Sequence, residues 1–150
     1  WSLHVRLQGL YSDFQATGFY RLRQAAALRL QLQIDHEASH TCSDVYFGGI
    51  VFDNAKVDFS VRNLIHPHLK AVEARQKNKN LLRSRHAEVS MRPDLEIYSE
   101  DVKCSHGATV GELDPETLFY LMSRGFNETQ ASLLLEEAFL QSIENRGVRE

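Results

Sequence analysis

The segment 101–111, DVKCSHGATVG, contains the two residues of this chain best suited to chemistry. Cys104 and His106 are two positions apart, and on a β-strand such side chains share a face, about 6–7 Å apart along the backbone. A thiolate and an imidazole together suit zinc, or iron with sulfide, but a metal site usually needs about four ligands. The residues alone leave three interpretations: half of a metal or cluster site, a Cys–His nucleophile pair, or a small buried hydrophobe beside a hydrogen-bonded histidine.

A second group of candidate ligands lies in 34–44, IDHEASHTCSD. His36, His40 and Cys42 would line one face of a strand, and on a helix His36 and His40 would be one turn apart. Either geometry can ligate a metal. Serine, threonine and glycine crowd the region, however, as is typical of turns. We therefore expect these side chains to serve packing rather than ligation.

Composition limits the classes of function. The chain has 150 residues, 43% of them hydrophobic and 25% charged, with a net charge of −3, which fits one globular domain with a small appendage. No apolar run approaches the ~20 residues of a membrane helix, so we expect no membrane association. Phosphate-binding loops and hydrolase signatures are absent. Two cysteines suit a reducing compartment. The strand pattern that starts at Trp1 suggests a C-terminal piece of a longer chain.

Alternation of apolar and polar residues dominates the first two thirds of the chain. It predicts short strands with one buried face, and the lack of long helical segments between them argues against βαβ winding. The alternating apolar positions are Trp1, Leu3, Val5, Leu7, Leu28, Leu30, Leu32, Ile34, Val57, Phe59, Val61, Leu95 and Ile97.

The basic segment 70–85 also alternates, and its residues leave open the alternative of a helix over 70–79. Gln76, Asn78 and Asn80 share one face, which predicts inward amides stacked in hydrogen-bonded ladders across the coils of a solenoid, with the cations in water. No aromatic residues are interleaved for base stacking, so we do not expect nucleic-acid binding.

Helical signals begin after residue 111. Asp114 is an N-cap with Pro115 at the first helical position, and Gly125 ends this helix. Asn127 then begins a second helix, with Gln130 at the capping-box position. We expect two short helices and a frayed tail over 145–150. The second helix has an apolar stripe of Ala131, Leu134, Leu135, Ala138, Phe139 and Ile143.

The stretch NKNLLRSRHAEVSMRPDLEIYSEDVKCSHGATVGELDPETLFYLMSRGF resembles the C-terminal region of the SufB/SufD family of iron–sulfur cluster assembly proteins, and it is closest to the SufD branch. The likeness is dense over 78–139 and thinner back to 36–59. It implies a mainly β fold, in which 1–111 forms the C-terminal coils of a right-handed parallel β-helix and 112–150 a small helical domain.

The resemblance also implies a function and partners. SufD-like proteins are non-catalytic scaffold subunits that join a SufB-like subunit at the end of the β-helix and a SufC-like ATPase at the helices. His106, with Cys104 beside it, then contacts a nascent cluster or iron at the SufB interface, with no tightly bound cofactor. The location implied is the bacterial cytoplasm or a plastid.

The residues implied in SufC docking are Phe119, Tyr120, Ser123, Arg124 and Gly125. An open coil at the end of the β-helix also predicts self-association. The alternative from another class is a stand-alone metal- or thiol-dependent enzyme centred on Cys104 and His106.

Overall fold

The computed structural model describes residues 1–145 of this protein. Its strands wind into a parallel β-solenoid, which is followed by two helices. Successive strands alternate between two four-stranded parallel sheets. Sheet A contains β1 (Ser2–Leu7), β3 (Ala27–His36), β5 (Lys56–Ile65) and β7 (Glu88–Ile97). Sheet B contains β2 (Asp13–Leu22), β4 (Cys42–Val51), β6 (Val72–Leu82) and β8 (Val102–Gly111). The mainly β solenoid expected from the sequence is confirmed.

The core lies between the inner faces of the two sheets. Each strand from β1 to β6 pairs in register with a strand about 30 residues later in the chain, as expected for one solenoid coil. Leu30 therefore stacks on Phe59, and Leu32 on Val61, with all four side chains buried. These are positions that the alternation marked as apolar, because a period of two places every second side chain on the inner face.

The inward amides of β6 are buried as predicted, but they do not form ladders across coils. Asn78 and Asn80 hydrogen-bond to each other along the strand, and Tyr20 donates its hydroxyl to Asn80 Oδ1. The reason is the register. The residue of β4 that pairs with Asn80 is Gly49, where a Cβ would collide with the Tyr20 ring, so the tyrosine fills the space that an amide would need.

The two helices begin where the capping residues predict. In α1 (Pro115–Ser123) the Asp114 carboxylate accepts backbone N–H groups of the first turn. In α2 (Glu128–Glu144) Asn127 and Gln130 form a reciprocal capping box with distances of 2.9 and 3.0 Å. Gly125 adopts φ +99° after α1, a conformation that favours glycine. At 17 residues α2 is longer than the short helix expected, and the predicted tail lies outside the described residues except for Asn145.

Helix α2 packs across the outer face of sheet B. Ile143 is fully buried over Gly48, where a Cβ would lie 2.4 Å from Ile143 Cδ1. The buried Glu136 accepts a hydrogen bond from Arg83 Nε at 2.9 Å, and Arg21 pairs with Glu137 at 2.9 Å. The contact between α2 and sheet B therefore combines apolar packing of Ile143 over Gly48 with the ion pairs made by Arg83 and Arg21.

Only part of the apolar stripe predicted for α2 is buried. Ala131 and Ile143 are covered, whereas Leu134 is 46% exposed. The side of α2 that faces the solenoid instead includes Ser132 and Glu136, because sheet B presents arginines to it. Within residues 1–145 neither helix has the length and apolar character needed to span a bilayer.

Candidate functional site

The last coil of the solenoid, formed by β7 and β8, has an uncovered inner face and is here called the end coil. In the coil before it, the inward side chains of β5 and β6 are buried. Their register partners in the end coil include Ile97, which is 41% exposed, and His106, which is also exposed. The difference arises because both strands lie at the edge of their sheets, with no further strand above them. An uncovered coil end is a surface to which another β-structure can add.

Cys104 and His106 lie on the inner side of β8, on one face as the spacing predicts. Cys104 pairs in register with Ala74 and packs, half-buried, against Ile65 and Val72. Burial raises the pKa of the Cys104 thiol, partly offset by a hydrogen bond to the Ala74 backbone. The thiol is thus held in its neutral form, as a packing residue, while His106 faces the open end of the coil.

His106 also borders a small cavity between the sheets, here called the end cavity. Gln76 and Asn78 of β6 lie beneath it, and Met91 and Pro93 of β7 lie opposite. The volume of the end cavity, measured as the space available to the centre of a water molecule, is about 10 Å³. This volume accommodates one water molecule. Gln76 is 4% exposed, and neither its amide oxygen nor its amide nitrogen has a hydrogen-bond partner in the described protein.

The second group of candidate ligands is dispersed by the fold. His36 ends β3, His40 occupies the following turn with φ +59°, and Cys42 begins β4, so the three do not line one strand. His40 stacks on the ring of Tyr11, with centroids 4.9 Å apart. Across residues 1–145 no three or more His, Cys, Asp or Glu side chains come together in a group that could hold a metal.

His36 has a packing role, as expected. It is fully buried, and its ring contacts Thr41 Oγ1 at 2.8 Å and Ser43 Oγ at 3.0 Å. The Thr41 hydroxyl donates to the Ala38 carbonyl, so it accepts from His36 Nδ1–H, and His36 Nε2 then accepts from Ser43. Burial lowers the pKa of His36 to about 4, against a smaller opposing effect of the Asp35 carboxylate. A neutral imidazole therefore holds the turn between β3 and β4.

The second candidate surface is on the helices. Helix α1 has no buried residue, and Phe119 and Tyr120 are 73% and 55% exposed. The Arg124 guanidinium lies over the Tyr120 ring at 5.2 Å, and the Ser123 hydroxyl donates to the Tyr120 carbonyl. Four further apolar side chains of the helical region are also exposed, and together with Phe119 and Tyr120 we call them the helical apolar patch: Met122, Phe126, Leu133 and Leu134.

Sequence reasoning missed two parts of these surfaces. It did not identify the four further residues of the helical apolar patch as exposed, because helical spacing marks an apolar face without saying whether it is covered. It also treated Gln76 as one amide of a ladder. The alternation places Gln76 inward with Asn78 and Asn80, but it carries no signal that the register neighbour of Gln76 is His106.

Comparison with known proteins identifies the family. Residues 2–139 match the model described as SUF system FeS cluster assembly, SufBD core domain. Over 94 residues the chain is 43% identical to the iron-sulfur cluster assembly protein SufD of Escherichia coli (strain K12), covering 63% of this chain and 22% of that protein. It is 33% identical over 132 residues to the SufBD family protein slr0076 of Synechocystis sp. (strain ATCC 27184 / PCC 6803 / Kazusa), covering 88% of the chain and 29% of that protein.

A third relative is the chloroplastic protein ABCI7 of Arabidopsis thaliana, 28% identical over 160 residues that cover 99% of the chain and 32% of that protein. The chain thus spans between about a fifth and a third of the length of these three relatives. Because the family model matches almost the whole described solenoid and most of α2, the chain belongs to the SufBD family of iron–sulfur cluster assembly proteins.

Proposed function

We propose that this chain is part of a SufD-like scaffold subunit of the SUF assembly complex. The subunit itself catalyses no reaction. The observation that carries the proposal is the uncovered inner face of the end coil, which presents His106 on the same face as the exposed apolar residues Ile97 and Val110. A SufB-like subunit that covers this face would bury apolar surface, which favours association. It would also supply the ligands that Cys104 and His106 lack.

The nascent cluster is the cargo of this interface rather than a resident cofactor. In this proposal His106 contacts the cluster or its iron through a ring nitrogen, since imidazole is a common ligand of iron. Cys104 is the less suitable contact, because burial raises the pKa of its thiol and metals bind the thiolate. The same property weighs against the alternative of a thiol-dependent enzyme.

The helical apolar patch is the proposed docking surface for a SufC-like ATPase. Exposed apolar side chains grouped on two helices, with Arg124 at their border, match the usual composition of a protein interface. Phe119 and Tyr120 are the expected anchors, because large aromatic residues dominate interface energetics. Ser123 and Gly125 shape the end of α1 beneath them. By the family role, the protein works in the bacterial cytoplasm or in a plastid.

The test of the end-coil site compares His106→Ala with Ser105→Ala in the protein that contains this chain, expressed with its SufB-like and SufC-like partners. Ser105 is the matched control because it is the next residue of β8 and points to the outer face of sheet B. We expect His106→Ala to abolish cluster assembly in cells while the complex still purifies intact. Unchanged assembly would refute the role of His106, and loss of the complex would make His106 a structural interface residue.

The test of the patch is binding of the SufC-like ATPase. Phe119→Ser removes the most exposed aromatic side chain of α1, and Glu116→Gln is the control on the same helix. We expect Phe119→Ser to weaken binding by about tenfold or more, since truncating an interface anchor costs at least ~2 kcal/mol. Equal affinities of the two variants would remove α1 from the docking surface. Light scattering of the chain alone measures the self-association that the uncovered end coil predicts.

A further inference from the structure

The buried amide of Gln76 lies directly beneath the proposed functional histidine. Gln76 and His106 are register partners on neighbouring parallel strands, which lie about 4.8 Å apart. Both side chains are on the inner face, and both line the end cavity. Beneath Gln76 in the register is Val45, and opposite it are Val61 and Pro93, none of which has a polar side-chain atom to offer the amide.

Gln76 and Asn63 are two buried amides of the coil formed by β5 and β6 in which neither polar atom has a partner within the described protein, and of these two Gln76 is the one that lines the end cavity. Asn80 is satisfied by Tyr20 and Asn78, and the Asn78 oxygen accepts from Asn80. Both polar atoms of Gln76 and the Asn78 nitrogen have no partner within the described protein. Buried amides in proteins are nearly always hydrogen-bonded, to protein or to ordered water. The inward-facing side chain on the cavity wall that has nitrogen atoms available for a hydrogen bond to these amides is His106.

We propose that Gln76 is a positioning residue for His106, whose ring it orients through one water molecule held in the end cavity. The cavity has the size for one water, and the Gln76 amide, the Asn78 nitrogen and a His106 ring nitrogen supply the two to four polar partners that a buried water needs. A hydrogen bond to one ring nitrogen selects a single tautomer and leaves the other nitrogen free to face the end-coil surface. The importance of this orientation for cluster assembly rests on the proposed function of His106.

Charged groups near the His106 ring do not select its tautomer. Lys77 of β6 is the charged residue on the described wall of the end cavity, and it lies on the outward parity of its strand. The residues that β5 and β7 contribute to the wall are Phe59, Val61, Met91 and Pro93, which carry no charge.

The direct test is the tautomer of His106, measured on the 150-residue chain labelled with ¹⁵N-histidine. Long-range ¹H–¹⁵N NMR spectra, recorded above the ordinary titration range of histidine, distinguish Nδ1–H from Nε2–H. His106→Gln identifies the His106 signals among those of the seven histidines. We expect a single tautomer in the wild type and a mixture of both in Gln76→Leu. A mixture in the wild type overturns the proposal without any variant, so it remains testable if Gln76→Leu fails to fold.

Asn63→Leu is the matched control. Asn63 is fully buried in the same coil and both of its amide atoms lack a partner, but its neighbour in the end coil is Leu95. We expect this variant to keep the single His106 tautomer. Gln76→Glu retains a hydrogen-bond acceptor at the same reach and should restore it. A single tautomer that survives in folded Gln76→Leu would also overturn the proposal.

A second measurement separates this inference from the proposed function. In the protein that contains this chain, expressed with its SufB-like and SufC-like partners, Gln76→Leu should reduce cluster assembly by about tenfold, as removal of an outer-shell partner does at metal sites. Asn63→Leu should not. If His106→Ala left assembly unchanged, the proposed function would fail while the NMR result still stood. If His106→Ala abolished assembly and Gln76→Leu changed neither tautomer nor assembly, only the positioning role would fail.

Discussion

The buried imidazole of His36 predicts a loss of stability in mild acid. In the folded protein burial lowers the pKa of His36 from its ordinary 6.5 to about 4. The unfolded chain therefore binds a proton at this residue at a higher pH than the folded chain does. The stability that the neutral ring contributes is fully present above about pH 6.5 and is lost as the pH falls toward 4.

The size of the effect follows from the difference between the two pKa values of His36. One pKa unit corresponds to about 1.4 kcal/mol, so the complete loss is about 3 kcal/mol, of which about 2 kcal/mol falls between pH 7 and pH 5. Carboxylates titrate mostly below this range of pH 7 to pH 5. Hydrogen bonds lower the pKa values of Glu37 and Asp114 further. The loss is large compared with the usual ~5–15 kcal/mol stability of a domain.

The assay is urea unfolding followed by far-UV circular dichroism at pH values between 7 and 5. The matched variant is His36→Gln, which keeps a hydrogen-bonding side chain near Thr41 and Ser43 but cannot titrate. We expect the free energy of unfolding of the wild type to fall by about 2 kcal/mol more than that of the variant. Equal pH dependence of the two proteins would refute the assignment of a neutral, buried His36.

Three substitutions and one control substitution test the packing that supports the candidate surfaces, each by urea unfolding. Gly48→Ala should destabilise the fold by about 1–3 kcal/mol, because its Cβ would lie 2.6 Å from the Lys79 carbonyl as well as against Ile143. The control, Gly107→Ala, should be nearly neutral, because its Cβ would lie 3.9 Å from the nearest atom, Lys77 Cγ. Ile143→Ala should cost about 2–5 kcal/mol and increase amide exchange in α2, and equal exchange would argue against its docking on sheet B. Tyr20→Phe should cost about 1–3 kcal/mol, since it leaves the buried Asn80 oxygen without its donor; an unchanged unfolding midpoint would contradict that hydrogen bond.

Much of the solenoid was predictable because its signals are local. Alternation in β3 and β5 marked the inner face residue by residue, and each apolar position that it marked there packs in the core between the sheets. The capping residues Asp114, Asn127 and Gln130 marked the starts of both helices for a similar reason, since a cap satisfies N–H groups within the same turn.

The pairing of side chains between coils was not predictable in the same way. Whether Gln76 meets another amide or His106 depends on the register between strands 30 residues apart in the chain, which the local alternation leaves undetermined. The candidate ligands of 34–44 show the same limit. A turn at His40, with a positive φ, separates His36 from Cys42 and places them on different sheets.

By itself, the sequence determined the strand character, the inward parity of Gln76, the shared face of Cys104 and His106, the helix caps and the likeness to the SufB/SufD family. These properties depend on neighbouring residues or on a contiguous motif. The tertiary structure alone decided that the end coil leaves His106 uncovered, that Cys104 is a half-buried packing residue, and that α2 docks at Gly48 while α1 keeps its aromatic residues in solvent. The physical reason is that burial depends on which distant strands and helices lie above a residue, and that follows from the winding of the whole chain.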